Sequence, residues 1–181
     1  MKPSMTDALC TRCGLCCDGS LFADVEVRRA EATGLEILGL EVEDNDQDGL
    51  QLLQPCGALR GKRCGIYAHR PRTCRAFECR LLQDAQRGDV SVDRALEHIT
   101  EAHRRIRRVR ELLARFEPGD ARLPLKERCA EALAGQVGTS PEAKRQSDEL
   151  DAAMSAVETL IRETFLDDAV SAAAPGEAVP E

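Results

Sequence analysis

Eight of the nine cysteines fall in two groups, Cys10-x2-Cys13-x2-Cys16-Cys17 and Cys56-x7-Cys64-x9-Cys74-x4-Cys79. Two residues between cysteines let a tight turn aim both sulfurs at one ion while backbone amides approach the thiolates, so this spacing recurs in zinc and iron-sulfur sites. Three cysteines in that rhythm can hold three corners of a four-iron cluster, with a remote cysteine as the fourth ligand. Neighbouring side chains such as Cys16 and Cys17 tend to point apart, so on the zinc reading they serve two centres or one is a reserve thiol. The second group contains no two-residue pair and makes a poor site alone. The two groups are therefore expected to combine.

Combination ties residues 10–17 to residues 56–79, and a metal closing that loop would contribute folding free energy on the order of 10 kcal/mol per structural zinc. The first 80 residues need such help. Aromatic residues make up only 3% of the chain, Trp is absent, and small cores of thinly spread Leu, Ile and Val usually require a metal or disulfide staple.

Charge is distributed unevenly. The chain carries a net −7 with a pI near 5.1, which argues against a general affinity for nucleic acid phosphates. Yet Pro55 to Arg80 holds seven basic residues, Arg60, Lys62, Arg63, Arg70, Arg72, Arg75 and Arg80, and the single acid Glu78. A centre of four thiolates carries about −2 with zinc, and these side chains can offset it and donate hydrogen bonds to sulfur. The plain alternative is a solvated basic loop.

The start, MKPSMTDALCTRCG, has no apolar run of secretory type, and no stretch approaches the ~18 apolar residues of a membrane span. A cytoplasmic location with no membrane association is expected. In that compartment a cysteine framework means metal or redox chemistry more often than disulfides.

Alternation over Leu21–Val27 predicts a strand, and a helix is expected from about Arg28 to Leu38. Asp48-Gly49 predicts the turn of a β-hairpin with flanks at Leu40 to Val42 and Leu50 to Leu53. Residues 1–9 read as a loose lead-in, and Pro55 to Arg80 as loop-rich chain. After Gly88-Asp89 a helical period begins, with Ser91 as N-cap and Val92, Leu96, Ile99, Ala102, Ile106, Val109, Leu113 and Phe116 on one face, ending near Glu117 before Pro118-Gly119. A shorter helix fits Leu125 to Ala134. Thr139 or Ser140 then caps a third helix, with Pro141 at its first position and Leu150, Met154, Val157, Ile161 and Phe165 on its apolar face. The expected class is α+β: a metal-stapled cysteine module at 1–82 with short strands, a helical hairpin or bundle at 83–168, and a disordered tail at 169–181.

With these residues in place, the chain resembles a known family. The first cysteine group followed by Pro55-Cys56, Cys64-x-Ile66-Tyr67 and Arg70-Pro71-x2-Cys74-Arg75-x-Phe77-x-Cys79 is similar to the CxxCxxCC cysteine-cluster proteins (YkgJ-like), zinc- or iron-chelating domains. The resemblance covers about residues 10–82. It implies metal binding, and the residues themselves are read as zinc or an iron-sulfur cluster held through Cys10, Cys13, Cys16, Cys17, Cys56, Cys64, Cys74 and Cys79. Flagellin lysine N-methylases carry a similar cluster in a larger chain, which keeps open an iron-sulfur enzyme or accessory factor in protein modification. A redox-sensing thiol protein is a further alternative.

Other features read more plainly. Asp44 to Gly49 matches half of a calcium loop, but Pro55 stands where a bidentate Glu is needed, so an acidic hairpin turn is expected. His69 lies among the cysteines as a reserve ligand or proton carrier. His98 and His103 fall on the long helix in surface or partly packed roles, and Cys129 reads as a buried apolar residue. The run His103 to Arg110 reads as a basic helix beside an acidic one carrying Asp148, Glu149, Asp151 and Glu158, and its surface ion pairs would contribute little each. No P-loop, GxGxxG or Ser/His/Asp pattern is present, so catalysis without metal is not expected. A protein partner or substrate is open, and no nucleic acid is expected.

Overall fold

The computed structural model describes residues 4–45, 49–136 and 140–166. The expected tail at 169–181, Asp48 of the hairpin turn and Thr139 lie outside the described residues. Thirteen elements follow in order: α1 (Met5–Cys13), β1 (Asp24–Val27), α2 (Arg29–Ile37), β2 (Glu43–Asn45), β3 (Gly49–Leu53), β4 (Leu59–Arg60), β5 (Arg63–Cys64), a 3-10 turn (Tyr67–His69), α3 (Arg72–Ala76), α4 (Arg80–Arg87), α5 (Val92–Leu113), α6 (Leu125–Ala134) and α7 (Pro141–Thr164). Small antiparallel sheets followed by helices make this an α+β fold.

The lead-in expected at 1–9 is instead largely the first helix. Ser4 Oγ accepts the Asp7 amide at 3.1 Å and the Asp7 carboxylate accepts the Ser4 amide at 3.3 Å, a reciprocal cap that satisfies two otherwise unpaired donors. The segment 55–80 is also more ordered than expected, holding β4, β5 and α3. Helix α4 was not expected separately; it buries Leu81, Leu82 and Ala85 and ends at Gly88 in the left-handed region.

Helices α2 and α6 lie within a residue of expectation. Helix α5 stops at Leu113 rather than near Glu117, because the Arg115 and Phe116 amides turn to the carbonyls three residues back, Leu112 and Leu113, and tighten the last turn. In α7 the Ser140 hydroxyl accepts the Ala143 amide, with Pro141 at the first position. The strand expected over Leu21–Val27 is confined to Asp24–Val27, because Leu21 instead donates its amide to Leu15 O.

Strand β3 is central in the order β1-β3-β2, pairing Val25 with Leu52 and Val27 with Leu50. A hairpin joins β2 and β3 as expected, but its first strand is the acidic Glu43–Asn45 rather than Leu40 to Val42, and Gly49, expected in the turn, opens β3 opposite Asn45. Two cores result. A large one joins Leu9 and Leu15 to α4, α5, α6 and α7, where Ile106, Val109, Leu112, Leu150, Val157 and Phe165 are almost wholly buried. A small one holds Val27, Leu35, Leu40, Leu52 and Ala58 between the sheet and α2. Cys129 is buried in the large core, as expected.

Among the described residues no helix is long and apolar enough to cross a membrane. The basic stretch of α5 is held partly by its own helix, since Arg104 and Arg105 both bind Glu101. Arg108 reaches across to Glu149 of α7, while Glu158 pairs with Lys126 of α6.

Candidate metal centre

The first cysteine group sits where α1 ends. Cys10 and Cys13 are three residues apart on one helix face, and Gly14 closes the helix at φ +74°. Leu15 then plunges into the large core with no exposed surface, and the Cys17 amide returns to Gly14 O at 3.0 Å. That turn leaves Cys16 and Cys17 on successive positions of a tight bend.

Backbone contacts bring the second group to it. A Cβ at Gly14 would lie 3.1 Å from the Lys62 Cα, so the absence of a side chain at residue 14 lets the β4–β5 turn pack this closely. The Cys56 amide donates to Cys17 O at 2.8 Å. The Phe22 and Phe77 rings meet edge to face at 4.9 Å, fastening the end of α3 beside the chain that follows Cys17. Cys79 is the N-cap of α4, and the next amide, Arg80, donates to Phe165 O at 3.1 Å.

The electrostatic neighbourhoods divide the eight thiols into two sets. Burial pushes Cys10 up to about 11, and the negative charge of Cys79 pushes in the same direction while Arg70 opposes it. Burial raises Cys13 to about 12; the Leu15 amide works against this, and Cys79 and Cys10 add to it. Cys16 is well above the ordinary thiol value through burial, then Cys13, Cys79, Cys17 and Cys10. Cys17 answers to different partners: burial takes it to about 12, followed by Cys56, Cys74 and Cys64. Cys74 is raised to about 11 by burial, then Cys56 and Cys64, with Arg70 opposing. Cys56 is raised by burial and by Cys64, while the Ala58 amide, 3.4 Å from its sulfur, and Arg60 pull it down.

Cys10, Cys13, Cys16 and Cys79 thus form one neighbourhood, and Cys17, Cys56, Cys64 and Cys74 the other, joined by the Cys16–Cys17 peptide. None of the nine cysteines is joined in a disulfide. Among the described residues no three His, Cys, Asp or Glu side chains already form a cation cage. The donor chemistry nevertheless suits a soft thiophilic ion. Each set offers four sulfurs, amides aim at Cys13 and Cys56, and cations stand nearby.

Arg70 is one of the cations expected to offset thiolate charge, whereas the roles of Glu31 and of His103 beneath α1 gave no sequence signal. Arg70 stacks on the Tyr67 ring at 3.8 Å, donates to Tyr67 O at 3.3 Å, and acts on a thiol of each set. Glu31 accepts the Arg72 amide at 2.8 Å and pairs with Arg75, joining α2 to α3. His103 lies beneath α1, with burial first and Lys62 second holding its pKa below the ordinary value, against the carbonyls of Cys13 and Arg12. Its Nε2 is buried without a partner. His69, the expected reserve ligand or proton carrier, is exposed.

No curated protein and no solved structure matches the chain. Residues 9–102, more than half of its length, match the CxxCxxCC family, described as a putative zinc- or iron-chelating domain. This span holds all eight motif cysteines and the elements that gather them, and the chain belongs to the CxxCxxCC family.

Proposed function

We propose that the protein binds metal at two four-thiolate centres, one formed by Cys10, Cys13, Cys16 and Cys79 and the other by Cys17, Cys56, Cys64 and Cys74. The observation that carries this reading is the division of the thiols into two neighbourhoods, each drawing on both sequence groups. Zinc and an iron-sulfur cluster both suit four thiolates. The first set favours iron-sulfur more than the second, because Cys10, Cys13 and Cys16 have the rhythm that holds three corners of a four-iron cluster and Cys79 supplies a remote fourth sulfur.

Metal and sulfide analysis with visible absorption and EPR, on protein purified without oxygen, tests the reading. Zinc leaves the protein colourless at about two ions per chain; iron-sulfur clusters make it brown with matching inorganic sulfide. Cys13→Ser and Cys74→Ser should each remove about half of the metal, since each breaks one four-ligand set. Full loading in both variants, or no metal in the parent chain, sinks it.

A further inference from the structure

We propose that the cations rimming the second thiol set, Arg60, Lys62 and Arg63 on the β4–β5 hairpin with Arg72 and Arg75 on α3, form a docking surface for a short acidic segment of a partner protein. Their placement is unfavourable for the chain alone. Arg60 and Arg63 stand directly opposite each other in the two-stranded ladder, where like charges repel. Lys62 occupies the turn between them, and Arg72 and Arg75 are three apart on α3, again neighbours of like charge. Cys64 follows Arg63 and Cys74 lies between Arg72 and Arg75. Those two thiols are charge neighbours, so hairpin and helix flank one place.

Internal partners do little to neutralise this rim. Among the described residues Arg60 donates only to the carbonyls of Gly57 and Leu59, and Glu31 is the one acid paired with α3, 3.6 Å from Arg75. Among the described residues the side chains of Lys62, Arg63 and Arg72, all exposed, meet no acid within ion-pair distance. Elsewhere Arg87, Arg94, Arg104, Arg105, Arg108 and Arg115 have carboxylate partners, while Arg107, Arg128, Arg145 and Arg162 have none among the described residues, so the rim is set apart by the close placement of its like charges rather than by lack of partners alone.

A thiolate centre nearby does not consume the charge. Counting Arg70, six cations set against Glu31 and the about −2 of a four-thiolate zinc centre leave about +3 on the rim. This step alone rests on the proposed metal reading; the juxtapositions do not. A protein segment fits better than nucleic acid, because the chain's net −7 opposes an extended polyphosphate. The exposed Tyr67 ring already carries Arg70 on one face, which limits it as a base-stacking platform.

The test uses the full chain, with metal content measured in every preparation, and fluorescence anisotropy of a labelled peptide of about eight glutamates beside a labelled thymidine oligonucleotide of about the same charge. The peptide should bind, and more weakly as salt rises from about 25 to about 250 mM. R63E/R72E should weaken it about tenfold or more when compared with the parent at matched metal content, R63Q/R72Q should weaken it less, and R94E on α5 should leave it unchanged. The proposal is overturned by absent peptide binding, by parent-like binding of R63E/R72E, by tighter oligonucleotide binding, or by loss of metal from both rim variants. A salt-sensitive dimer without peptide binding would likewise overturn it in favour of a second copy of the chain. Peptide binding by a chain that holds no metal would refute the metal reading and leave the docking surface standing.

Discussion

The first thiol set leans on the core that joins α1 to α4, α5, α6 and α7, whereas the second leans on Val27, Leu35, Leu40, Leu52 and Ala58 between a small sheet and α2. Cys10, Cys13 and Cys79 pack against the first core; Cys56 and Cys64 pack against the second. Apolar burial contributes ~25 cal/mol per Å2, so the larger core can support its helices without a ligand. The smaller one meets the entropy of ordering its loops with far less apolar surface. On the proposed metal reading the same thiol chemistry would have unequal tasks: a first centre would decorate a core, and a second would complete one.

Metal removal should expose that inequality most strongly, since a structural zinc contributes on the order of 10 kcal/mol. After treatment with a strong chelator, hydrogen exchange should accelerate across β1, β2, β3 and residues 55–79, while α5, α6 and α7 keep their protection and most of the helical circular dichroism survives. Loss of all helix in one step would show that both sets belong to a single metal-dependent core.

Paired core truncations sharpen the comparison at a smaller scale. Leu15 has no exposed surface and Leu52 only 4%, so each change to Ala should cost about 2–5 kcal/mol. The cost of Leu15→Ala should appear as easier thermal unfolding of the helices even in chelated protein. That of Leu52→Ala should appear in metal affinity and leave the chelated helices unchanged. Identical behaviour of the two variants would erase the distinction between the cores.

How much of this could be read from sequence depended on how locally each feature is encoded. Helix α7 was legible because Leu150, Met154, Val157, Ile161 and Phe165 recur at helical spacing and Ser140-Pro141 marks a start. All five are buried. Helix α1 was not, because its short run carries two cysteines that read as loop ligands, and its cap uses Asp7 where Glu or Gln is the stronger signal. Helix α4 was hidden because Leu81, Leu82 and Ala85 follow directly on the arginine-rich stretch. The spacing suggested that Cys16 and Cys17 diverge and that the groups combine, but not that Cys79 joins Cys10, Cys13 and Cys16. That neighbourhood depends on long-range contacts, among them the Arg80 amide on Phe165 O, which no local pattern records.

Gly14→Ala probes the contact that brings the two regions together. The left-handed φ of +74° costs a non-glycine residue about 1–2 kcal/mol, and the new Cβ would press on the Lys62 backbone at 3.1–3.2 Å. Both sets should lose metal affinity, because the turn presenting Cys16 and Cys17 and the hairpin presenting Cys64 must separate. Competition with a colorimetric chelator measures this. Unaltered affinity would mean that the hairpin is held by other contacts.

The smallest expected effect comes from two matched caps, one at each end of the chain. Ser4 and Ser140 do the same work: each hydroxyl accepts the amide three residues on, Asp7 or Ala143, at 3.1 Å. Replacing either by Ala should cost about 1 kcal/mol of helix stability. The consequences should differ, because α1 must be helical to hold Cys10 and Cys13 on one face, whereas α7 carries no thiol. Ser4→Ala should lower affinity at the first centre about fivefold, the equivalent of 1 kcal/mol, and leave the second nearly unchanged. Ser140→Ala should lower the melting temperature by a few degrees with metal affinity intact. Chelator competition and thermal scans on the two variants decide it. Equal affinity in Ser4→Ala and the parent chain would mean that the centre itself enforces the α1 helix, so that the cap adds nothing once metal is bound.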